Sequence, residues 1–131
     1  EIAKAVEKGG DDAICAINTV GPGMVIDTTT AKPILSNKAG GLSGPAIKTI
    51  AIRCVYDIFE AVKIPIIGTG GITYGEDAIE MIMAGASLVG IGSGVYYRGI
   101  DIFGKIGEEI LDFMEKNGYN KIKDIRGISH E

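Results

Sequence analysis

Along this chain, short unbroken apolar runs alternate with longer stretches whose apolar residues fall three and four apart. Runs of the first kind suit strands buried on both faces, and stretches of the second kind suit helices that lay one face on a core. Residues 1–9 read as the end of a helix, with Ile2, Ala5 and Val6 at helical spacing and Gly9-Gly10 stopping it. Ala13-Ile14-Cys15-Ala16-Ile17 is the first strand, followed at once by Asn18 and Thr19. From Val20 to Gly44 no helical period is present, only a small hairpin through Met24-Val25-Ile26 and Pro33-Ile34-Leu35. A loop of that length is usually functional or disordered.

A helix is expected from about Ala46 to Lys63, because Ile47, Ile50, Ala51, Val55, Ile58, Phe59 and Val62 share one face. Ile64-Pro65-Ile66-Ile67 is a second buried strand, which runs into Gly68-Thr69-Gly70-Gly71. Thr73-Tyr74-Gly75-Glu76 has the form of a capping box, and the helix it opens extends to Ala84, with Gly85 as its stop. A third strand, Ser87 to Ile91, leads into Gly92-Ser93-Gly94, and a last helix covers roughly Ile100 to Asn117. Such alternation demands a parallel sheet, so the fold class is α/β. Three strands are too few for a whole domain of that class. Ile67-Gly68-Thr69-Gly70 is echoed by Ile91-Gly92-Ser93-Gly94, 24 residues later, which is about one strand-plus-helix unit of a barrel.

Composition narrows the possible partners. The chain has 131 residues, of which 46% are hydrophobic and 23% charged, as expected of one soluble globular domain or a piece of one. A net charge of −4 provides no basic footprint for nucleic acid. No apolar run approaches the roughly 18 to 20 residues of a membrane span, and the opening Glu1-Ile2-Ala3-Lys4 leads us to expect a start within a longer protein. Cys15 and Cys54 lack CxxC spacing and His130 is the one histidine, so no metal site is expected and a reducing cytoplasm is the default. Both cysteines read as small core residues, and His130 as exposed and inert.

The Gly-rich turns carry the chemistry. Two successive strands end in turns that lead toward helix starts, an arrangement that aims free backbone N–H groups and helix dipoles at one place and suits a phosphate. In a (β/α)8 TIM barrel that anion site lies after strands 7 and 8, which would make this chain the C-terminal part of a barrel. The same glycines could instead serve only as tight turns. Gly68-Thr69-Gly70-Gly71-Ile72-Thr73 puts Thr where a dinucleotide fingerprint has its last Gly, and no P-loop motif occurs, so a mononucleotide phosphate is the best ligand class. Asn18 and Thr19, at a strand's C-terminal end, could read a planar polar ring through paired hydrogen bonds, or could merely cap a turn. Gly40-Gly41-Leu42-Ser43-Gly44 could press its backbone on a flat cofactor or hinge a lid.

Taken together, Ala16-Ile17-Asn18-Thr19-Val20, Gly40-Gly41-Leu42-Ser43-Gly44-Pro45-Ala46-Ile47-Lys48, Ile66-Ile67-Gly68-Thr69-Gly70-Gly71-Ile72 and Ile91-Gly92-Ser93-Gly94 resemble the dihydroorotate dehydrogenase family from end to end, including the tail Gly127-Ile128-Ser129-His130. The Gly44-Pro45-Ala46-Ile47 form and the Arg53-Cys54-Val55-Tyr56 helix resemble its cytoplasmic, NAD-linked branch. The resemblance implies the C-terminal half of an FMN-containing barrel that oxidises dihydroorotate to orotate in pyrimidine synthesis. It implies that Asn18 and Thr19 bind the pyrimidine, that Ile17 touches FMN through its backbone, and that Gly44 lets the chain approach the cofactor. Gly70, Gly71, Gly92 and Ser93 would hold the FMN phosphate. It further implies a partner subunit carrying FAD and an iron–sulfur cluster.

Two departures bear on activity. The family places its base cysteine, in an Asn-x-x-Cys-Pro-Asn-like loop, and a flavin-contacting lysine in the first half of the barrel, so neither Cys15 nor Cys54 takes that role and no catalytic residue is expected here. Thr49 stands where the family often has Pro, and Ser93 where Thr is common, which keeps the hydroxyl. A partial barrel leaves strand edges and inner faces unpaired, so association with itself or with a missing half is expected. A related FMN barrel acting on dihydropyrimidines and a non-catalytic phosphate-binding module are the alternatives.

Overall fold

Elements follow in the order α1 (Ile2–Gly9), β1 (Ile14–Ala16), four short strands β2 (Val20–Gly23), β3 (Ile26–Asp27), β4 (Lys32–Pro33) and β5 (Gly40–Leu42), then α2 (Lys48–Ala61), β6 (Ile66–Thr69), α3 (Gly75–Met83), β7 (Leu88–Gly90), α4 (Ser93–Arg98) and α5 (Ile102–Asn117). This is a computed structural model describing residues 1–131. A 3₁₀ turn, Pro45–Ile47, opens α2, and two more, Ile122–Asp124 and Ile128–His130, close the chain.

The three runs read as buried strands form one parallel sheet in the order β1-β6-β7. Parallel neighbours need crossovers, and α2 and α3 supply them. Ile66, Ile72, Ala86 and the helix residues Ala51, Val55, Ala78, Met81, Ile102 and Ile106 make a continuous core between the sheet and α2, α3 and α5. Only 26 of 131 residues are buried, because the opposite face of the sheet has nothing against it. Cys15, Ile67 and Leu88 are in register across the three strands, so their side chains share that open face, and Leu88 is 65% exposed. This is the inward face of a barrel that three strands cannot close.

That geometry corrects the expectation for the cysteines. Cys15 is exposed and Cys54 half-buried. The apolar setting of Cys15 is real, but it belongs to the face that lacks a partner, where its Sγ lies 3.7 Å from Thr69 Oγ1.

The expected hairpin is present: Ile26 pairs with Pro33 and Asp27 with Lys32, and the Ile34 amide donates to Val25 O at 3.0 Å. Its tip is held by the Asp27 carboxylate, which accepts from the Thr29 amide and the Thr30 hydroxyl. A second antiparallel ladder, β2 with β5, closes the base of the excursion and joins Val20 to Leu42. It is built largely of Gly and Pro, which have no strand signature.

Two further expectations are revised. Glu76 does not cap α3; Asp77, one residue on, accepts from the Thr73 and Tyr74 amides at 2.9 Å each, while the Thr73 hydroxyl is buried without a partner. His130 is not a free end. Its ring stacks on Tyr56 with centroids 3.7 Å apart, and its Nε2 lies 3.1 Å from Ala84 O. Gly127 N and Ser129 Oγ donate to Ile82 O and Met83 O, so the tail seals the end of α3.

The bare edges of β1 and β7 and the uncovered Cys15–Ile67–Leu88 row lead us to expect that the isolated 131-residue chain self-associates. Sedimentation velocity is expected to show species above 13.7 kDa that dissociate when a segment supplying the missing strands is added; a stable monomer of the isolated chain contradicts this.

Candidate functional site

Every strand of the parallel sheet delivers its carboxyl end to one side, and the turns that follow meet there. After β6, Gly70 and Gly71 take φ of +140° and +78°. A Cβ at Gly71 would lie 2.7 Å from Lys48 Cβ and 2.9 Å from Lys48 N, so the turn is pressed directly on the start of α2. After β7, the first turn of α4 packs on that same segment: a Cβ at Gly94 would lie 2.5 Å from Ile72 O. Gly44, at φ +85°, passes over Ser93, whose Oγ is 3.6 Å from where its Cβ would be.

These turns and the end of β1 enclose a concavity of about 240 Å³. Ile17, Asn18, Thr19, Gly44, Gly70, Gly71, Gly92 and Ser93 all line it, although they come from four separate stretches of sequence. Ser43, Ile47 and Thr69 complete the wall. Asn18 and Thr19 also line a second cavity of about 390 Å³, with Gly21, Pro22 and Ala39–Gly41, so the pair stands between the two spaces.

Among the lining residues are unpaired backbone amides. Gly70, Gly71 and Gly92 N–H groups donate to no protein acceptor. The start of α3, expected to contribute its positive end, does not: its Thr73 and Tyr74 amides are bonded to Asp77, and Gly75 N donates to Glu109 Oε2. The helix after the second turn, α4, has only six residues, so the open amides matter more than any macrodipole.

Asn18 does in part what a turn cap does, since its Oδ1 accepts from the Thr19 amide at 2.7 Å. Its Nδ2 donates to no protein group and is free for a ligand carbonyl. The Thr19 side chain fills the place a Cβ at Gly41 would need, which explains glycine at that position without any ligand.

A charged frame supports the turns from behind. Lys48 Nζ lies 2.8 Å from Asp77 Oδ1 and 3.1 Å from Glu80, tying the start of α2 to the start of α3. Arg98 Nη2 lies 2.7 Å from Glu109 Oε1, its Nη1 donates to Thr73 O at 2.9 Å, and its guanidinium covers the Tyr74 ring at 4.7 Å. Burial pushes Asp77 up, but hydrogen bonds from Lys48 and the Tyr74 and Thr73 amides outweigh it and hold the carboxyl below its ordinary range. The hydrogen bond from Arg98 likewise holds Glu109 low, against burial. Sequence reasoning missed this frame. Part of its signal was charge at helix starts, Lys48 on α2 and Asp77 on α3; Arg98 at the end of α4 and Glu109 within α5 had none.

A parallel α/β segment with a glycine-walled pocket at the strands' carboxyl ends is the anatomy of a partial TIM barrel. Comparison with known proteins agrees. The family model described as dihydroorotate dehydrogenase matches residues 1–114. The chain is 56% identical over 131 residues to the dihydroorotate dehydrogenase B (NAD(+)) catalytic subunit of Methanocaldococcus jannaschii, covering 100% of this chain and 42% of that one. It is 53% identical over 130 residues to the like-named subunit of Methanosarcina mazei, covering 99% and 41%. A crystal structure of the Eimeria tenella enzyme, in complex with ferulenol, superposes with a TM-score of 0.81 at 29% identity, over 99% of this chain and 34% of that one. The chain belongs to the dihydroorotate dehydrogenase family, and it spans about two-fifths of the length of these curated relatives. No helix is long and apolar enough to cross a membrane.

Asp77 and Glu109 fix the sign of the acid response. Both are held below their unfolded values of 3.8 and 4.5, so their stabilisation is complete above those values and fades as pH falls through the lower folded ones. Thermal melts of the full-length protein from pH 7 to pH 3 are expected to fall less steeply in Asp77→Asn than in the parent, from a lower starting Tm. Parallel curves contradict the assignment.

Proposed function

We propose that this chain provides the FMN phosphate site and part of the substrate site of an enzyme that oxidises dihydroorotate to orotate in pyrimidine synthesis. The observation that carries the reading is the convergence of all eight named residues on one concavity whose Gly70, Gly71 and Gly92 amides have no protein acceptor. Unpaired N–H groups at the carboxyl edge of a parallel sheet fit a phosphate, since a bound anion would satisfy donors that the fold leaves open. Gly70, Gly71 and Gly92 would donate from the backbone and Ser93 from its hydroxyl, while Ile17 and Gly44 would bring main chain against the rest of FMN. The flavin, when bound, supplies the acceptor for the hydride that leaves dihydroorotate.

The remaining work falls to Asn18 and Thr19, on the wall between the two cavities. Asn18 Nδ2 can donate to a ring carbonyl while Oδ1 stays engaged by Thr19 N, so the carboxamide is oriented before the substrate arrives. Thr19 adds a hydroxyl that can donate or accept. No residue of this chain is assigned as the base that removes the substrate proton; that group and the flavin-contacting lysine are assigned to the rest of the barrel. The names of the relatives favour dihydroorotate over a dihydropyrimidine. Their designation as catalytic subunits supports a separate electron-transfer subunit, for which the family resemblance suggests FAD and an iron–sulfur cluster.

The full-length protein is expected to purify yellow with a flavin spectrum. Asn18→Ala is expected to retain the flavin and to lower kcat/KM for dihydroorotate about tenfold or more, the cost of one lost polar contact in a desolvated site. Steady-state kinetics with flavin content measured in parallel checks this. Unchanged kcat/KM, or loss of flavin with no effect of substrate concentration, contradicts the assigned role.

A further inference from the structure

The two turns that bound the concavity are bolted together by one side chain. Arg98 ends α4, the helix that begins with Ser93, yet its Nη1 donates at 2.9 Å to the carbonyl of Thr73, three residues after Gly70 in the other turn. The same guanidinium is held by Glu109 of α5, with Nη2 to Oε1 at 2.7 Å and Nη1 to Oε2 at 3.3 Å. Glu109 Oε2 also accepts from Gly75 N, so one carboxylate grips both the arginine and the backbone two residues beyond Thr73. Tyr74 lies under the guanidinium at 4.7 Å from Cζ to ring centroid. The Arg98 side chain is only 19% exposed, and the backbones beneath it are in direct contact at Gly94 and Ile72.

The geometry points to Arg98 as a positioning residue for the phosphate site, acting through Glu109 and the Thr73 carbonyl and not by touching the ligand. The inference rests on the FMN reading given above. Gly70 and Gly71 amides belong to one rigid turn, and Gly92 N and Ser93 Oγ to another; they can serve one anion only if the distance between the turns is fixed. The Gly94–Ile72 contact sets how close they can come but does not stop them from separating or sliding. The planar fork of Arg98 does, because it satisfies an acceptor on one turn while its own backbone carries the other. A lysine provides the charge without the fork.

The test compares two ligands that differ only in the phosphate. Full-length apoprotein and its Arg98→Lys and Glu109→Gln variants are titrated with FMN and with riboflavin by quenching of flavin fluorescence. Arg98→Lys is expected to weaken FMN about tenfold while leaving riboflavin affinity within a factor of about two, and Glu109→Gln to shift the ratio in the same direction by less. Equal weakening of both flavins assigns Arg98 to general stability and overturns the proposal, as does an unchanged FMN affinity in both variants. Should the parent bind riboflavin as tightly as FMN, the phosphate reading itself has failed, a result separable from either outcome for the variants.

Discussion

Backbone against backbone, with no side chain between, is the contact on which this carboxyl edge depends. Gly71 lies on the first residue of α2, and Gly94 lies on the Ile72 carbonyl. Any Cβ at either place would meet main-chain atoms at under 3 Å, which cannot be relieved by turning a rotamer. Along this edge the Gly70, Gly71 and Gly92 amides donate to no protein acceptor. An anion is the natural group to satisfy such open donors.

The electrostatic frame divides labour along the same edge. Asp77 and Glu109 satisfy the amides of Thr73, Tyr74 and Gly75, which removes the start of α3 as a competing anion site. Lys48 and Arg98 neutralise those carboxylates and tie each to a neighbouring element. Donors a few residues apart therefore have opposite fates: those of Thr73, Tyr74 and Gly75 are consumed within the fold, and those of Gly70 and Gly71 stay available. The unfinished barrel shows elsewhere, in the uncovered Cys15–Ile67–Leu88 row and in the bare edges of β1 and β7.

Much of this was legible in the sequence, for identifiable reasons. The strands announced themselves as short apolar runs, and α2, α3 and α5 as amphipathic stretches that end near Gly or Pro. The two Gly-rich turns could be named because glycines clustered at strand ends mark backbone turns, and Asn18 and Thr19 because they follow a strand; Ile17, Gly44 and the individual roles came from the resemblance to the family. What escaped notice depends on tertiary partners. Helix α4 was hidden because Gly92-Ser93-Gly94 reads as loop until Ile72 packs against it. The β2–β5 ladder is glycine and proline, with no period to detect. Cys15 looked like core because its strand is apolar on both faces, and only the incomplete sheet exposes one of them. His130 looked free because nothing nearby in sequence foretells a stack on Tyr56. The cap of α3 was misplaced by one residue, since Glu76 and Asp77 are equivalent acids until the turn fixes which one faces back.

Amide chemical shifts of the full-length protein, followed as FMN is added to the apoprotein, test the central claim most directly. The account predicts that Gly70, Gly71 and Gly92 N–H resonances move downfield and become protected from exchange, while those of Thr73, Tyr74 and Gly75, already bonded to Asp77 and Glu109, hold nearly still. Protection at the start of α3 with none at the three glycines would contradict it.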